Sequence, residues 1–138
     1  MTTTTISPET AMVYLMVIVS ASDRDMTDSE LSKIGETART LPAFEKYNEE
    51  NLIRDAKNCA AILSEDEGLE AILGLVKEAI PETHLDTAYA VACDIAVADG
   101  RLEQEELQVL KVIRTYLGVN RLQAAAIEAA IVARTRAL

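Results

Sequence analysis

An uninterrupted apolar run, AMVYLMVIVSA at residues 11–21, constrains the fold of this chain more than any other feature. Eleven residues make a helix of about 16 Å, far short of the ~30 Å hydrocarbon core of a bilayer. The run therefore predicts a helix over residues 8–22 that is buried in a protein core and does not span a membrane. Its β-branched residues would also suit a buried strand.

The remaining composition indicates one all-α domain over residues 8–138, preceded by a polar tail at 1–7. The chain has 138 residues, enough to bury a single core, and 49% of them are hydrophobic. Aromatic residues are scarce, and five Gly and three Pro leave few breakers, so helices should be long and turns short.

The charge and the cysteines exclude several functions. A net charge of −10 without a Lys/Arg cluster argues against nucleic-acid binding and favours cations or basic protein partners. The two cysteines, Cys59 and Cys93, stand among alanines in apolar helical stretches, where small buried side chains are expected. Unpaired thiols and the lack of a basic leader fit a reducing cytoplasm.

Start and stop signals predict about seven helices. Ser7 with Pro8, the capping box of Thr27 with Glu30, and Asn120 each begin a helix. Pro42, Pro81 and Gly118 end others. Asn48 and Ser64 are taken to begin the third and fourth helices, with Leu69 in the fourth and Leu107 in the sixth facing the core. The alanine-rich segment QAAAIEAAIVARTRAL predicts a close-packed helix, with a partner surface as the alternative.

A shift of 76 residues aligns two segments of the chain with each other. Asp23 falls on Asp99, Glu30 on Glu106, and Leu31 on Leu107. The counterpart of the Val-rich run is YAVACDIAVA, which is rich in Ala and typical of a helix, so both segments are interpreted as helices. We therefore predict an internal duplication of a helix–acidic corner–helix unit.

Each acidic corner brings carboxylates to a turn and to the first turn of the next helix. Such oxygens can converge on a hard cation such as Ca²⁺ or Mg²⁺. The alternative is that the acids only cap helices, where the helix dipole favours them by about 0.3–1 kcal/mol each. The sequence leaves both interpretations open. The first corner contains Asp23, Asp25, Asp28 and Glu30; the second contains Asp99, Glu103, Glu105 and Glu106.

The segments MVIVSASDRDMTDSEL and VACDIAVADGRLEQEELQVL together resemble the tellurite-resistance TerB family over roughly residues 8–138. This resemblance implies a seven-helix, internally duplicated, acidic bacterial domain linked to tellurite and wider chemical stress. It also implies a divalent-metal site at the corners. Arg24 departs from the pattern, since it stands where the second corner has Gly100. The implied metal ligands are Asp23, Asp25, Glu30, Asp99, Glu103 and Glu106.

The predicted function is a cytoplasmic, non-catalytic domain that binds or senses a divalent cation. Asp99 and Glu106 would be direct ligands, and Asp23 with Glu30 would supply a second half-site. The alternative is a protein-interaction module in which the acids cap helices and dock a basic partner. No nucleophile with its base, phosphate loop or dinucleotide fingerprint is present, so only a metal-assisted hydrolase would remain as an enzyme.

Overall fold

The structure is a computed structural model that describes residues 5–20, 27–97 and 104–138. Within these residues it is all-α, with seven helices and no strand, as the sequence predicted. Short 3-10 turns at Pro42–Phe44, Glu49–Asn51 and Glu82–His84 connect some of them. The helices are α1 (Pro8–Ser20), α2 (Asp28–Thr40), α3 (Leu52–Leu63), α4 (Gly68–Ala79), α5 (Leu85–Ala96), α6 (Gln104–Leu117) and α7 (Arg121–Thr135).

Helix α1 is the centre of the core. All nine residues from Ala11 to Val19 are buried, because α1 packs against α3, α4 and α5 and also contacts α2 and α6. A helix apolar on every side is stable only in such a position. The apolar run at 11–21 is thus a helix as far as Ser20, and its strand alternative is wrong.

The helix ends follow the predicted capping chemistry at several places. The Ser7 hydroxyl accepts the Thr10 N–H at the start of α1, and the Asn120 side chain accepts the Leu122 and Gln123 N–H groups at the start of α7. Gly118 ends α6 with a φ of 74°, a conformation that glycine adopts without steric cost.

The predicted start of α4 is wrong. Ser64 ends α3 instead: its N–H donates to the Ala60 carbonyl, and its hydroxyl donates to the Ala61 carbonyl at 2.7 Å. Helix α4 begins four residues later, at Gly68, after Glu67 in the left-handed conformation. The prediction of Leu69 and Leu107 as core residues is also wrong, because their side chains are 37% and 44% exposed.

The helix bounds agree with the 76-residue shift. Shifted by 76, α1 and α2 would span 84–96 and 104–116, and α5 and α6 span Leu85–Ala96 and Gln104–Leu117. The shift relates α1 to α5 and α2 to α6. The helix contacts agree with it, because α1 contacts α6 and α2 contacts α5. The internal duplication itself stays a prediction.

None of the helices among the described residues is long and apolar enough to cross a bilayer.

Candidate functional site

Most of the predicted cation site falls outside the part of the chain that the structure describes. Asp23, Asp25, Asp99 and Glu103 belong to the segments 21–26 and 98–103, which are not among the described residues. Glu30 and Glu106 are described, and each is the third residue of the helix that follows its corner, α2 and α6 respectively. Both are half-buried. The seven-residue Asp-to-Glu interval that both corners share in the sequence thus places the two glutamates at the same position in their helices.

Glu30 forms the predicted capping box at the start of α2. Its backbone N–H donates to the Thr27 hydroxyl at 3.1 Å, and its Oε1 accepts the Thr27 backbone N–H at 2.9 Å. The Thr27 hydroxyl also donates to the same Oε1 at 3.1 Å. These bonds hold the carboxylate over the first turn of α2 and use one of its two oxygens. The capping role predicted for Glu30 is therefore confirmed, and a ligand role for it stays a prediction.

The described residues alone do not assemble a metal cage. No group of three or more His, Cys, Asp or Glu side chains placed to hold a metal ion occurs among residues 5–20, 27–97 and 104–138. Every residue of the predicted set is a carboxylate, which is the donor type that Ca²⁺ and Mg²⁺ take. A cation at these corners would therefore need ligands from 21–26 or 98–103 in addition to Glu30 and Glu106.

Asp55 is an interacting carboxylate that the sequence interpretation missed. It is only 3% exposed, although it carries a charge. Its Oδ2 accepts hydrogen bonds from the Thr10 hydroxyl at 3.0 Å and the Tyr47 hydroxyl at 2.7 Å, and the exposed Arg54 guanidinium lies 3.5 Å from its Oδ1. Asp55 thereby ties α3 to α1 and to the segment before α3. The signal was present, because Asp55 occurs three residues after Leu52 on the buried face of α3.

Both thiols are buried in the core, as predicted, and are poor nucleophiles. Burial raises the pKa of the Cys59 thiol to about 12. Burial also raises the pKa of the Cys93 thiol to about 11, against an interaction with the neighbouring Tyr89 hydroxyl that lowers it. Since the thiolate is the reactive form, neither cysteine is suited to reduce an oxyanion near neutral pH.

The raised pKa values of the two thiols predict that the protein loses stability in alkaline solution. A pKa raised on folding gives stability that is complete below the unfolded pKa of 9.0 and is lost as the pH rises towards 11–12. Each unfolded thiol is about half ionised at pH 9, so it contributes a loss of about 1 kcal/mol between pH 9 and pH 10, and we expect the free energy of unfolding to fall by about 2 kcal/mol in total. Burial also raises the pKa of Tyr47 and Tyr89, which acts in the same direction.

Urea denaturation at pH 8, 9 and 10 measures this loss. Cys59→Ala should weaken the pH dependence, since one of the two thiols no longer titrates. A free energy of unfolding that stays constant from pH 8 to pH 10 would contradict the expectation.

A surface cleft of about 680 Å³ lies where the end of α4, the end of α6 and the starts of α5 and α7 meet. Its rim carries Lys77, Glu82 and Asp86, above apolar residues that include Ile80 and Leu117. The Lys77 ammonium is engaged by the Tyr116 carbonyl at 3.0 Å, and Asp86 accepts a hydrogen bond from Gln123. The cleft is at the opposite end of α6 from Glu106, so it does not belong to the acidic corner.

Residues 9–129 match the family model described as Tellurite resistance protein TerB. Comparisons with curated proteins and with solved structures find no match. The family is not a known enzyme family.

The match covers most of the 138 residues and includes both acidic corners and helices α1 to α6. It confirms the resemblance that the corner sequences indicated. The chain belongs to the TerB family.

Proposed function

We propose that this TerB-family domain is non-catalytic and binds or senses a divalent cation, Ca²⁺ or Mg²⁺, through its two acidic corners, in resistance to tellurite and chemical stress. The observation that carries the proposal is the equivalent position of Glu30 and Glu106. Each is a half-buried carboxylate on the third residue of its helix, seven residues after an Asp. Acids that only cap helices can stand at varying distances from a preceding Asp. The same seven-residue Asp-to-Glu interval in both corners therefore favours a common function, such as holding a cation.

Charge also supports a cation and disfavours tellurite as a direct ligand. The chain has 23 acidic and 13 basic residues, and an acidic surface repels an oxyanion. The thiols that could reduce tellurite are buried with raised pKa values. The contribution to tellurite resistance would therefore be indirect, through the cation-bound form of the domain.

The test is thermal unfolding with a chelator and then with Ca²⁺, Mg²⁺ or Mn²⁺ at millimolar concentration. A cation at a hundred times its Kd adds about 2.7 kcal/mol to the free energy of unfolding. At roughly 3 °C per kcal/mol, Tm should rise by about 8 °C. Asp99→Asn should abolish most of this rise. An unchanged Tm with all three ions would refute cation binding.

Glu30→Gln separates the ligand role from the capping role. Glutamine also forms a capping box with Thr27, so the metal-free Tm should stay near that of the wild type. If the Glu30 carboxylate is a ligand, the cation-induced rise in Tm should shrink. If only capping matters, the rise should be unchanged, and Thr27→Ala should lower Tm equally with and without the cation.

The alternative function is a docking surface for a basic partner, which the confirmed capping role of Glu30 favours. In that case Glu30→Gln would leave every response to cations unchanged. Charge reversal at Glu103 or Glu105 would weaken binding of a basic partner, and a chelator would have no effect.

A further inference from the structure

Helix α7 has an unusual distribution of side chains, because three of its polar residues interact with α5 and its outer face is apolar. Glu128 accepts a hydrogen bond from the buried Tyr89, and Gln123 donates to Asp86. Burial raises the pKa of the Asp94 carboxyl, and the Arg134 guanidinium lies close enough to oppose part of that rise. Among its apolar residues only Ala124 and Ile131 are buried.

The outer face of α7 is a continuous apolar stripe. Leu122, Ala126, Ala129 and Ala133 have the spacing i, i+4, i+7 and i+11, which aligns them along one side of a helix. All four are exposed, and Leu122 is 80% exposed. A surface helix ordinarily turns charged residues to this side. The small alanines allow another helix to approach closely.

Arginines border this stripe at both ends. Arg121 and Arg136 are exposed, and neither makes a salt bridge with any residue in the part of the chain that the structure describes. Residues 107–138 contain five basic residues and one acid, Glu128, a net charge of +4. Because the whole chain has a net charge of −10, residues 1–106 carry −14. Three of these basic residues, Arg121, Arg134 and Arg136, lie in or directly after α7, so the outer face of α7 has positively charged ends on an acidic protein.

We propose that the outer face of α7, defined by Leu122, Ala126, Ala129 and Ala133 with Arg121 and Arg136 at its ends, docks an acidic amphipathic helix of another protein. The apolar side of that helix covers the stripe, and its carboxylates pair with the two arginines. Helix-in-groove recognition of this kind uses anchors at i, i+4 and i+7 spacing.

Two other occupants fit the charges less well. A second α7 packed on this face would bring Arg121 beside Arg121 or Arg136 of the other copy in either orientation, and like charges in contact are destabilising. An anionic membrane would attract the arginines but repel the acidic remainder of the chain. A short acidic helix covers only the α7 face, so the acidic remainder lies farther from its carboxylates than from an extended membrane surface and is more fully screened by salt.

The test uses a synthetic 18-residue helical peptide with Leu at i, i+4, i+7 and i+11 and Glu at most other positions, labelled for fluorescence anisotropy. A single helix–helix contact is smaller than a standard interface, so a Kd of roughly 10–100 µM is expected. Binding should weaken at least tenfold for Leu122→Glu and for Arg121→Glu with Arg136→Glu. It should also weaken in high salt, and any binding of the same peptide with Lys in place of Glu should be unaffected by Leu122→Glu, since that peptide is attracted to the acidic remainder of the chain and not to α7.

Matched controls are available on other exposed faces. Ile53→Glu changes another exposed apolar residue, and Lys46→Glu with Lys57→Glu makes the same charge change as the arginine pair. Both should leave the Kd within twofold of the wild type. No saturable binding up to 1 mM, or equal weakening by the controls, would overturn the proposal. So would a dimer in sedimentation that Leu122→Glu converts to a monomer, since a second copy would then cover α7.

Discussion

Asp55→Ala should lower the free energy of unfolding by about 3–5 kcal/mol. The substitution removes the acceptor of the Thr10 and Tyr47 hydroxyls, which lie 3.0 and 2.7 Å from Oδ2. Hydrogen bonds to a charged group contribute about 1.5–3 kcal/mol each, and a partly buried hydroxyl left unpaired adds a desolvation cost. The affected contacts join α3 to α1, which is the central helix of the core.

Urea denaturation of three further variants distinguishes this network from a general effect of burial. Asp55→Asn keeps an acceptor oxygen and should lose only about 1–2 kcal/mol. Adding Thr10→Val and Tyr47→Phe to Asp55→Ala removes the stranded hydroxyls and should recover part of the loss. Glu78→Ala, at an exposed position of α4, should change stability by less than about 0.5 kcal/mol. A triple variant less stable than Asp55→Ala would contradict the hydrogen-bond account.

Local chemistry predicted the helix ends that depend on neighbouring residues. The capping box of Thr27 and Glu30 and the cap at Asn120 involve atoms at most three residues apart, so the sequence contains everything they need. The assignment of Ser64 to the start of α4 was wrong because it also relied on neighbouring residues alone. The acids after it make a good helix start, but its N–H and hydroxyl both donate to carbonyls at the end of α3.

The burial of several residues depends on tertiary packing and could not be predicted from the sequence pattern. Leu69 and Leu107 have core spacing, but each lies in the first turn or two of its helix, where exposure depends on which neighbours extend that far. Asp55 was missed because a carboxylate is expected on the polar side until its distant partner Thr10 is placed. The meeting of the two corners stays a prediction, because it depends on Asp23 and Asp99, outside the described residues.

Replacement of Gly68, the first residue of α4, by alanine is the second substitution from which we expect a large loss of stability. A Cβ added at Gly68 would lie 2.1 Å from the Ile62 carbonyl oxygen and 2.8 Å from the Leu63 Cα. Both atoms belong to the backbone of α3, so the close turn between α3 and α4 would have to open. We expect Gly68→Ala to lower the free energy of unfolding by about 3 kcal/mol, at the upper end of overpacking costs.

Gly74→Ala is the matched control in the same helix. A Cβ there would meet only the Tyr116 hydroxyl, at an ordinary contact distance of 3.8 Å. Alanine in a helix interior is favoured over glycine by about 0.5–1 kcal/mol, so this variant should be more stable than the wild type. The same chemical change six residues apart should therefore act in opposite directions in urea denaturation. If Gly68→Ala unfolds within about 0.5 kcal/mol of the wild type, the tight approach of α4 to the end of α3 does not determine this turn.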